Sequence, residues 1–355
     1  MSRDPGGAPE IAIAGRKIGK AHEPYVICEL SGNHNGSLDR AMALLEAAAA
    51  TGADAIKMQS YTADTITIDH DGPGFTVEGG LWDGRTLYDL YGEAQTPFEW
   101  HEPLFRRARE LGVTLFSSPF DHSAVDMLEE LDAPAYKIAS FEAVDLPLVA
   151  YVASKGKPMI ISTGMANLEE IGEAVRTARE NGCEEIVLLH CVSSYPAPDE
   201  QSNVRTVPDL AERFGVVSGL SDHTFGSAVA VASIALGGCV VEKHCTLRRA
   251  DGGPDSAFSL EPQEFTALVE DCKRAWRSLG EATYDLQGSE SASVQFRRSL
   301  YVVEDIAAGE PLSAHNVRSI RPGQGLAPRH MPEILGRKAA RDLKRGEPLD
   351  WPMMA

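Results

Sequence analysis

Between residues 25 and 280 the chain repeats one motif: a short apolar run, then a stretch rich in Ala, Leu, Glu and Arg. The apolar runs that read as strands are Tyr25–Leu30, Asp54–Gln59, Thr114–Ser118, Ala135–Ser140, Pro158–Ser162, Glu185–Cys191, Val216–Leu220 and Val240–Thr246. Helix-like segments such as Leu38–Ala50, Phe98–Leu111, Leu168–Asn181 and Ser227–Leu236 lie between most of them. Strands that are apolar throughout must be covered on both faces, which is the pattern of parallel βα units. Eight such units predict an α/β fold closed into a (β/α)8 TIM barrel. An open doubly wound sheet is the alternative, but no G-x-G-x-x-G follows the first strand.

The 355 residues exceed the ~250 that a barrel needs, so a second domain is expected. Residues 1–285 are assigned to the barrel, 286–295 to a polar linker and 296–355 to a small, mostly β domain. In that tail Asp305-Ile-Ala-Ala-Gly-Glu-Pro-Leu and Asp342-Leu-Lys-Arg-Gly-Glu-Pro-Leu look like two copies of one turn, so the domain should have pseudo-symmetric halves. The stretch Thr62–Gln95 interrupts the barrel pattern with glycines and with Phe75, Trp82, Tyr88 and Tyr91. It follows the second strand, on the face where barrels carry their active sites. It is either a cover for a substrate or an insertion packed on the rim.

A formal charge of −19 disfavours nucleic acid and anionic membranes as partners. It does not disfavour a small anion, which responds to local lysines. The six cysteines form no C-x-x-C pair and mostly sit in apolar runs, as reduced thiols of a cytoplasmic protein would. No signal-peptide pattern opens the chain, and no apolar run is long enough to span a bilayer.

Catalytic groups of a barrel cluster where its strands end. His223 in Gly-Leu-Ser-Asp-His-Thr and His244 in Val-Glu-Lys-His-Cys-Thr close the last two strands. Two imidazoles so placed can meet at one divalent metal ion, Mn2+ or Mg2+ fitting a site with few nitrogen ligands. The alternative is a pair of hydrogen-bonded strand-end residues. Lys57 and Lys137 lie inside apolar strand sequence, where a lysine is costly without a partner. With the serines nearby they form either an anion site or structural salt bridges, and a Schiff-base lysine is a third reading. Glu29 is either a general base or a partner for one of the lysines.

Six ordered motifs resemble the sialic acid synthase family: Cys28-Glu-Leu-Ser-Gly-Asn-His-Asn-Gly, Phe116-Ser-Ser-Pro-Phe-Asp, Tyr136-Lys-Ile-Ala-Ser-Phe-Glu, Ser162-Thr-Gly-Met-Ala, Gly219-Leu-Ser-Asp-His-Thr and Glu242-Lys-His. The segment around Arg321-Pro-Gly-Gln-Gly-Leu-Ala-Pro is similar to that family's antifreeze-protein-like (SAF) domain. Gly79-Gly-Leu-Trp-Asp, Leu87-Tyr-Asp-Leu-Tyr and Ser256-Ala-Phe-Ser-Leu look most like its pseudaminic-acid-forming branch. The resemblance implies a transferase that condenses phosphoenolpyruvate with 2,4-diacetamido-2,4,6-trideoxy-L-altrose. The N-acetylneuraminate and legionaminic acid branches are the alternatives.

By the same resemblance His223 and His244 hold the metal. Lys57, Ser118, Lys137, Ser140, Ser162 and Ser221 hold phosphoenolpyruvate. Glu142, Tyr195 and Asp255 face the acetamido sugar, and Glu29 lies near the reacting centre. Ser193 stands where sialic acid synthases carry Asn, which puts that contact in question. Arg321 is implied to enter the partner's barrel in a domain-swapped homodimer. Two readings from other classes remain: a metal-dependent barrel aldolase or epimerase, and a sugar-binding scaffold without activity.

Overall fold

The computed structural model describes residues 9–355, and its contacts divide into two units, 1–280 and 281–355. Within the first, β1 (Glu10–Ile13) and β2 (Arg16–Gly19) form an antiparallel hairpin. There follow β3 (Tyr25–Glu29), β4 (Ala55–Ser60), β5 (Thr114–Pro119), β6 (Tyr136–Ile138), β7 (Met159–Ser162), β8 (Ile186–Cys191), β9 (Val217–Asp222) and β10 (Val240–His244). These eight strands close in parallel into a barrel, with β10 bonded to both β3 and β9. They are the expected eight, with ends shifted by a residue or two. One shift matters: β6 stops at Ile138, and Ser140–Glu142 turn as a short 3-10 helix. Each strand is followed by a covering helix, and the sequence sets where these begin. Asn167 and Glu170 form a capping box that opens the helix Leu168–Glu180, and Asp121 caps His122–Glu130.

Side chains alternate along every strand. Outward positions such as Val26, Cys28, Ile56, Met58, Tyr136, Ile138 and Val241 share one apolar layer with the helices. Inward positions near the strand starts, Tyr25, Ile27, Ala55, Phe116, Ala135, Ile160, Val187, Leu189, Val217 and Val240, form a second cluster. Ile11, Ile13 and Ile18 of the hairpin belong to that second cluster, so β1 and β2 plug the floor of the barrel. The hairpin has no counterpart in the expected elements. At β9, a Cβ on Gly219 would meet the Val240 carbonyl oxygen at 2.1 Å, so glycine lets β9 and β10 approach closely.

The second unit has its own core around Leu300, Val302, Ile306, Leu312, Val317, Leu343 and Leu349. β11 (Ser299–Val302) and β12 (Val317–Ile320) pair antiparallel. The segment read as linker is partly 3-10 helix, Gly288–Phe296, within this unit. The two repeated turns are related as the sequence predicts. Ala307 N–H donates to Glu310 and Lys344 N–H to Glu347. Ala308 N–H donates to Asp342, and Arg345 N–H reciprocates with Asp305. No helix among the described residues is long and apolar enough to cross a membrane.

Candidate active site

Above the apolar floor the inward positions turn polar. Continuing the alternation upward gives Glu29 on β3, Lys57 on β4, Ser118 on β5, Lys137 on β6, Ser162 on β7, Ser221 on β9, and Glu242 and His244 on β10. All are buried. Lys57 Nζ lies 2.7 Å from Glu29 Oε2 and 3.1 Å from Glu242 Oε1, and donates to Ser118 Oγ at 3.2 Å. Lys137 Nζ reaches Glu242 Oε1 at 3.3 Å. The lysines therefore do have core carboxylate partners, and Glu242 serves both.

The two lysines are not equivalent. Burial works against the charge of Lys57, but Glu242 and Glu29 outweigh it and hold the ammonium above its ordinary value. Burial holds the Lys137 ammonium below its ordinary value; Glu242 opposes that shift and Lys57 adds to it. Lys137 is thus short of negative charge. Around it lie polar groups without partners, among them Ser162 Oγ and Glu142 Oε2. Burial pushes the Glu142 carboxyl up to about 7. The Gly164 N–H donates to Ser140 Oγ at 3.2 Å. A Cβ on Gly164 would stand 2.2 Å from Ser193 Oγ and 2.8 Å from Ser140 Oγ. Ser140 and Ser193 therefore converge on a backbone amide that only glycine leaves open.

Across the mouth, the rings of His223 and His244 are 5.4 Å apart. His223 Nδ1 lies 3.0 Å from the Val192 carbonyl. A carbonyl only accepts, so Nδ1 carries the hydrogen and Nε2 is left for a ligand. Burial opposes the charge of His223, but the thiol of Cys191 raises its pKa; the contact draws Cys191 down to about 7 in spite of burial. His244 is held well below its ordinary value by burial and then by His223, so it is neutral. Its Nδ1 is buried without a hydrogen-bond partner, 4.0 Å from Asp255 Oδ2. Among the described residues no three His, Cys, Asp or Glu side chains converge as a ready metal cage. Two imidazoles, His223 with Nε2 free of the Val192 contact and His244 with an orphaned Nδ1, nevertheless suit a divalent cation whose remaining positions are filled by water or substrate.

Rings wall this pair. Tyr195 lies 4.3 Å from His223, and Phe258 lies 5.0 Å from His244, centroid to centroid. The insertion after β4 reaches the same place: the Trp82 ring is 5.6 Å from Tyr195, and its Nε1 donates to the Pro254 carbonyl at 2.9 Å. Asp255, next in sequence, accepts a short hydrogen bond from Ser31 Oγ. The barrel thus gathers every expected site residue except Arg321, which lies in an exposed turn of the C-terminal unit. Glu242, Gly164, Cys191 and Phe258 join the site without having been singled out as site residues, and Trp82 brings the aromatic insertion to it. Glu242 was accessible from sequence, since it alternates with His244 and must face inward with it.

A buried lysine–carboxylate chain and a histidine pair thus share the mouth of a (β/α)8 barrel, and comparison places the chain in a family. The NeuB family matches residues 44–284 and the SAF domain matches residues 297–355. The chain belongs to the NeuB family. It is 44% identical to the pseudaminic acid synthase of Campylobacter jejuni, over 92% of this chain and 95% of that protein. It is 42% identical to the pseudaminic acid synthase of Helicobacter pylori, over 92% and 96%. Among solved structures it resembles the N-acetylneuraminic acid synthetase of Leptospira borgpetersenii, with a TM-score of 0.72 and 29% identity over 82% of this chain and 96% of that one.

Proposed function

We propose that this chain is a pseudaminic acid synthase. It would condense phosphoenolpyruvate, 2,4-diacetamido-2,4,6-trideoxy-L-altrose and water to pseudaminic acid and phosphate. The observation that carries the chemistry is the buried Lys137, which shares Glu242 with Lys57 near the unpartnered Ser162 hydroxyl and Glu142 carboxyl, opposite the His223–His244 pair. The likeness to the Campylobacter and Helicobacter enzymes supports the choice of sugar.

In this reading Lys137, Lys57, Ser118, Ser140, Ser162, Ser193 and Ser221 bind the phosphate and carboxylate of phosphoenolpyruvate. An arriving anion supplies the negative charge that Lys137 lacks, in a site where such contacts are stronger than in water. His223 and His244 would hold a divalent cation, which supplies Lewis-acid polarisation of the sugar aldehyde. Glu142, Tyr195 and Asp255 orient the open-chain sugar so that its C1 faces C3 of phosphoenolpyruvate. The new C3–C1 bond takes the enol electron pair while the C1=O π pair moves onto the aldehyde oxygen, which becomes a hydroxyl with the proton Glu29 takes from water, leaving cationic character at C2 beside the carboxylates of Glu29 and Glu242. Glu29 accepts a proton from the water that adds at C2. Collapse of the tetrahedral intermediate breaks the C2–O bond and releases phosphate into the lysine and serine cradle.

The test is phosphate release from phosphoenolpyruvate with a panel of acetamido sugars, with and without exhaustive chelation. Strong preference for the altro diacetamido sugar, with turnover lost on chelation and restored by Mn2+ or Mg2+, is expected. Comparable efficiency on N-acetylmannosamine would move the assignment to a sialic acid synthase.

The active unit in this reading is a domain-swapped homodimer, in which the Arg321 guanidinium of one subunit enters the other's site. A planar fork suits a carboxylate or acceptor oxygen there. Arg321→Ala and Lys137→Ala, each inactive alone, should regain activity when mixed under subunit exchange. Demonstrated exchange without activity would rule the arrangement out.

A further inference from the structure

The strand positions that face away from the site carry charge where they should be apolar. Glu242 and His244 face the barrel interior, so Lys243 between them faces the helix layer, whose core cluster is apolar. Asp222 is its register partner on β9. Lys243 Nζ lies 2.7 Å from Asp222 Oδ2, and both side chains are 1% exposed. Neither group touches substrate-facing space, and a buried ion pair adds little or nothing to stability over apolar residues of the same size. Its presence behind the site therefore calls for another reason.

The remaining contacts of the pair supply one. Lys243 Nζ also donates to the Thr224 carbonyl at 2.5 Å. Asp222 Oδ1 accepts from the Thr224 N–H at 2.9 Å and from Thr224 Oγ1 at 2.8 Å. Residues 222 and 224 are thereby tied to the strand that carries His244, and the residue between them is His223. On the other side His223 Nδ1 is held by Val192. The His223 backbone is fixed at both flanking residues, and its ring at one nitrogen.

We infer that Asp222, Lys243 and Thr224 form a clamp outside the barrel wall that positions His223 against His244 for a shared divalent cation. They are positioning residues: they act through His223, not on substrate. The inference rests on the proposed metal role of the two histidines. Removing support of this kind from a metal ligand typically weakens affinity about 10- to 100-fold.

The experiment reads Mn2+ binding to the full chain by electron paramagnetic resonance, without substrates, beside thermal melts. Wild type and His223→Ala test the metal reading itself; equal Mn2+ binding by the two would overturn that reading separately. Asp222→Leu combined with Lys243→Met replaces both charges by apolar groups. It should melt near wild type yet bind Mn2+ about 10- to 100-fold more weakly. Thr224→Val removes a single tie, should fold in any case, and should weaken Mn2+ severalfold. A folded double variant with wild-type Mn2+ affinity overturns the clamp. If the double variant does not fold, unchanged affinity in Thr224→Val overturns it.

Discussion

The floor and the mouth of this barrel are made by the same strands at the same alternate positions, yet they do opposite jobs. Phe116 and Lys137 both point inward. Phe116 is sealed among Tyr25, Ile27 and the hairpin isoleucines, while Lys137 shares Glu242 with Lys57 and sits among unpartnered polar atoms. The floor is close apolar packing, and among the described residues the Tyr25 hydroxyl is its one buried polar atom lacking a hydrogen-bond partner. The mouth is left incomplete, with His244 Nδ1, Ser162 Oγ and Glu142 Oε2 buried and unsatisfied. Unsatisfied buried groups cost stability, and proteins keep them where a ligand is to complete them.

Substitutions should separate the two ends. The largest effect is expected from Lys137→Met. Glu242 keeps Lys57 at 3.1 Å, so the melting temperature should hold, while turnover falls on the order of 10³-fold with loss of a charge at the reacting anion. Activity within tenfold of wild type would dissolve the contrast. Phe116→Ala is the mirror experiment. It should lower unfolding free energy by about 3–5 kcal/mol, read by urea titration, with unchanged turnover per folded molecule. A catalytic defect in that variant would mean the floor shapes the site after all. Trp82→Ala probes the rim. It removes the bond to Pro254 and the contact with Tyr195, together worth about 1–3 kcal/mol. The Michaelis constant for the sugar should rise on the order of tenfold and that for phosphoenolpyruvate should not move. Equal changes in both constants would place Trp82 outside acceptor binding.

The same contrast governs what was legible in the sequence. Strand number and order were readable because parallel strands buried on both faces stand out as apolar runs, and the mouth lysines and histidines were conspicuous against them. The hairpin was not readable. Ile11, Ile13 and Ile18 are spread among Arg16, Lys17 and Lys20 in four-residue strands, too short for an alternation to register. At the mouth, Glu242 could have been placed by its spacing from His244. Gly164 could not, because its value lies in Ser140 and Ser193 arriving from other strands. The Cys191–His223 contact at 3.8 Å likewise depends on the register between two strands, β8 and β9. Asp222 and Lys243 lay in plain sight at the strand ends within the histidine motifs, but their pairing with each other in the helix layer comes from the register of two strands. The reciprocal turns of the tail were legible because both copies keep Asp, Gly and Glu at equal spacing.

The chain of ion pairs Glu29–Lys57–Glu242–Lys137 also bears on how such an enzyme can diverge. Its four formal charges sum to zero, and its inner members share partners. Losing Lys57 alone strands the buried Glu29 and leaves Glu242 with Lys137 only, and breaking a buried pair costs about 3–5 kcal/mol, against a total stability of about 5–15 kcal/mol. Single-step drift is therefore barred by stability at Lys57 and by activity at Lys137, and the four positions are inherited as a block. Trp82 and Tyr195 share no such charge and can change one at a time. New sugar preferences should arise along that aromatic rim while the anion chemistry beneath it stays frozen.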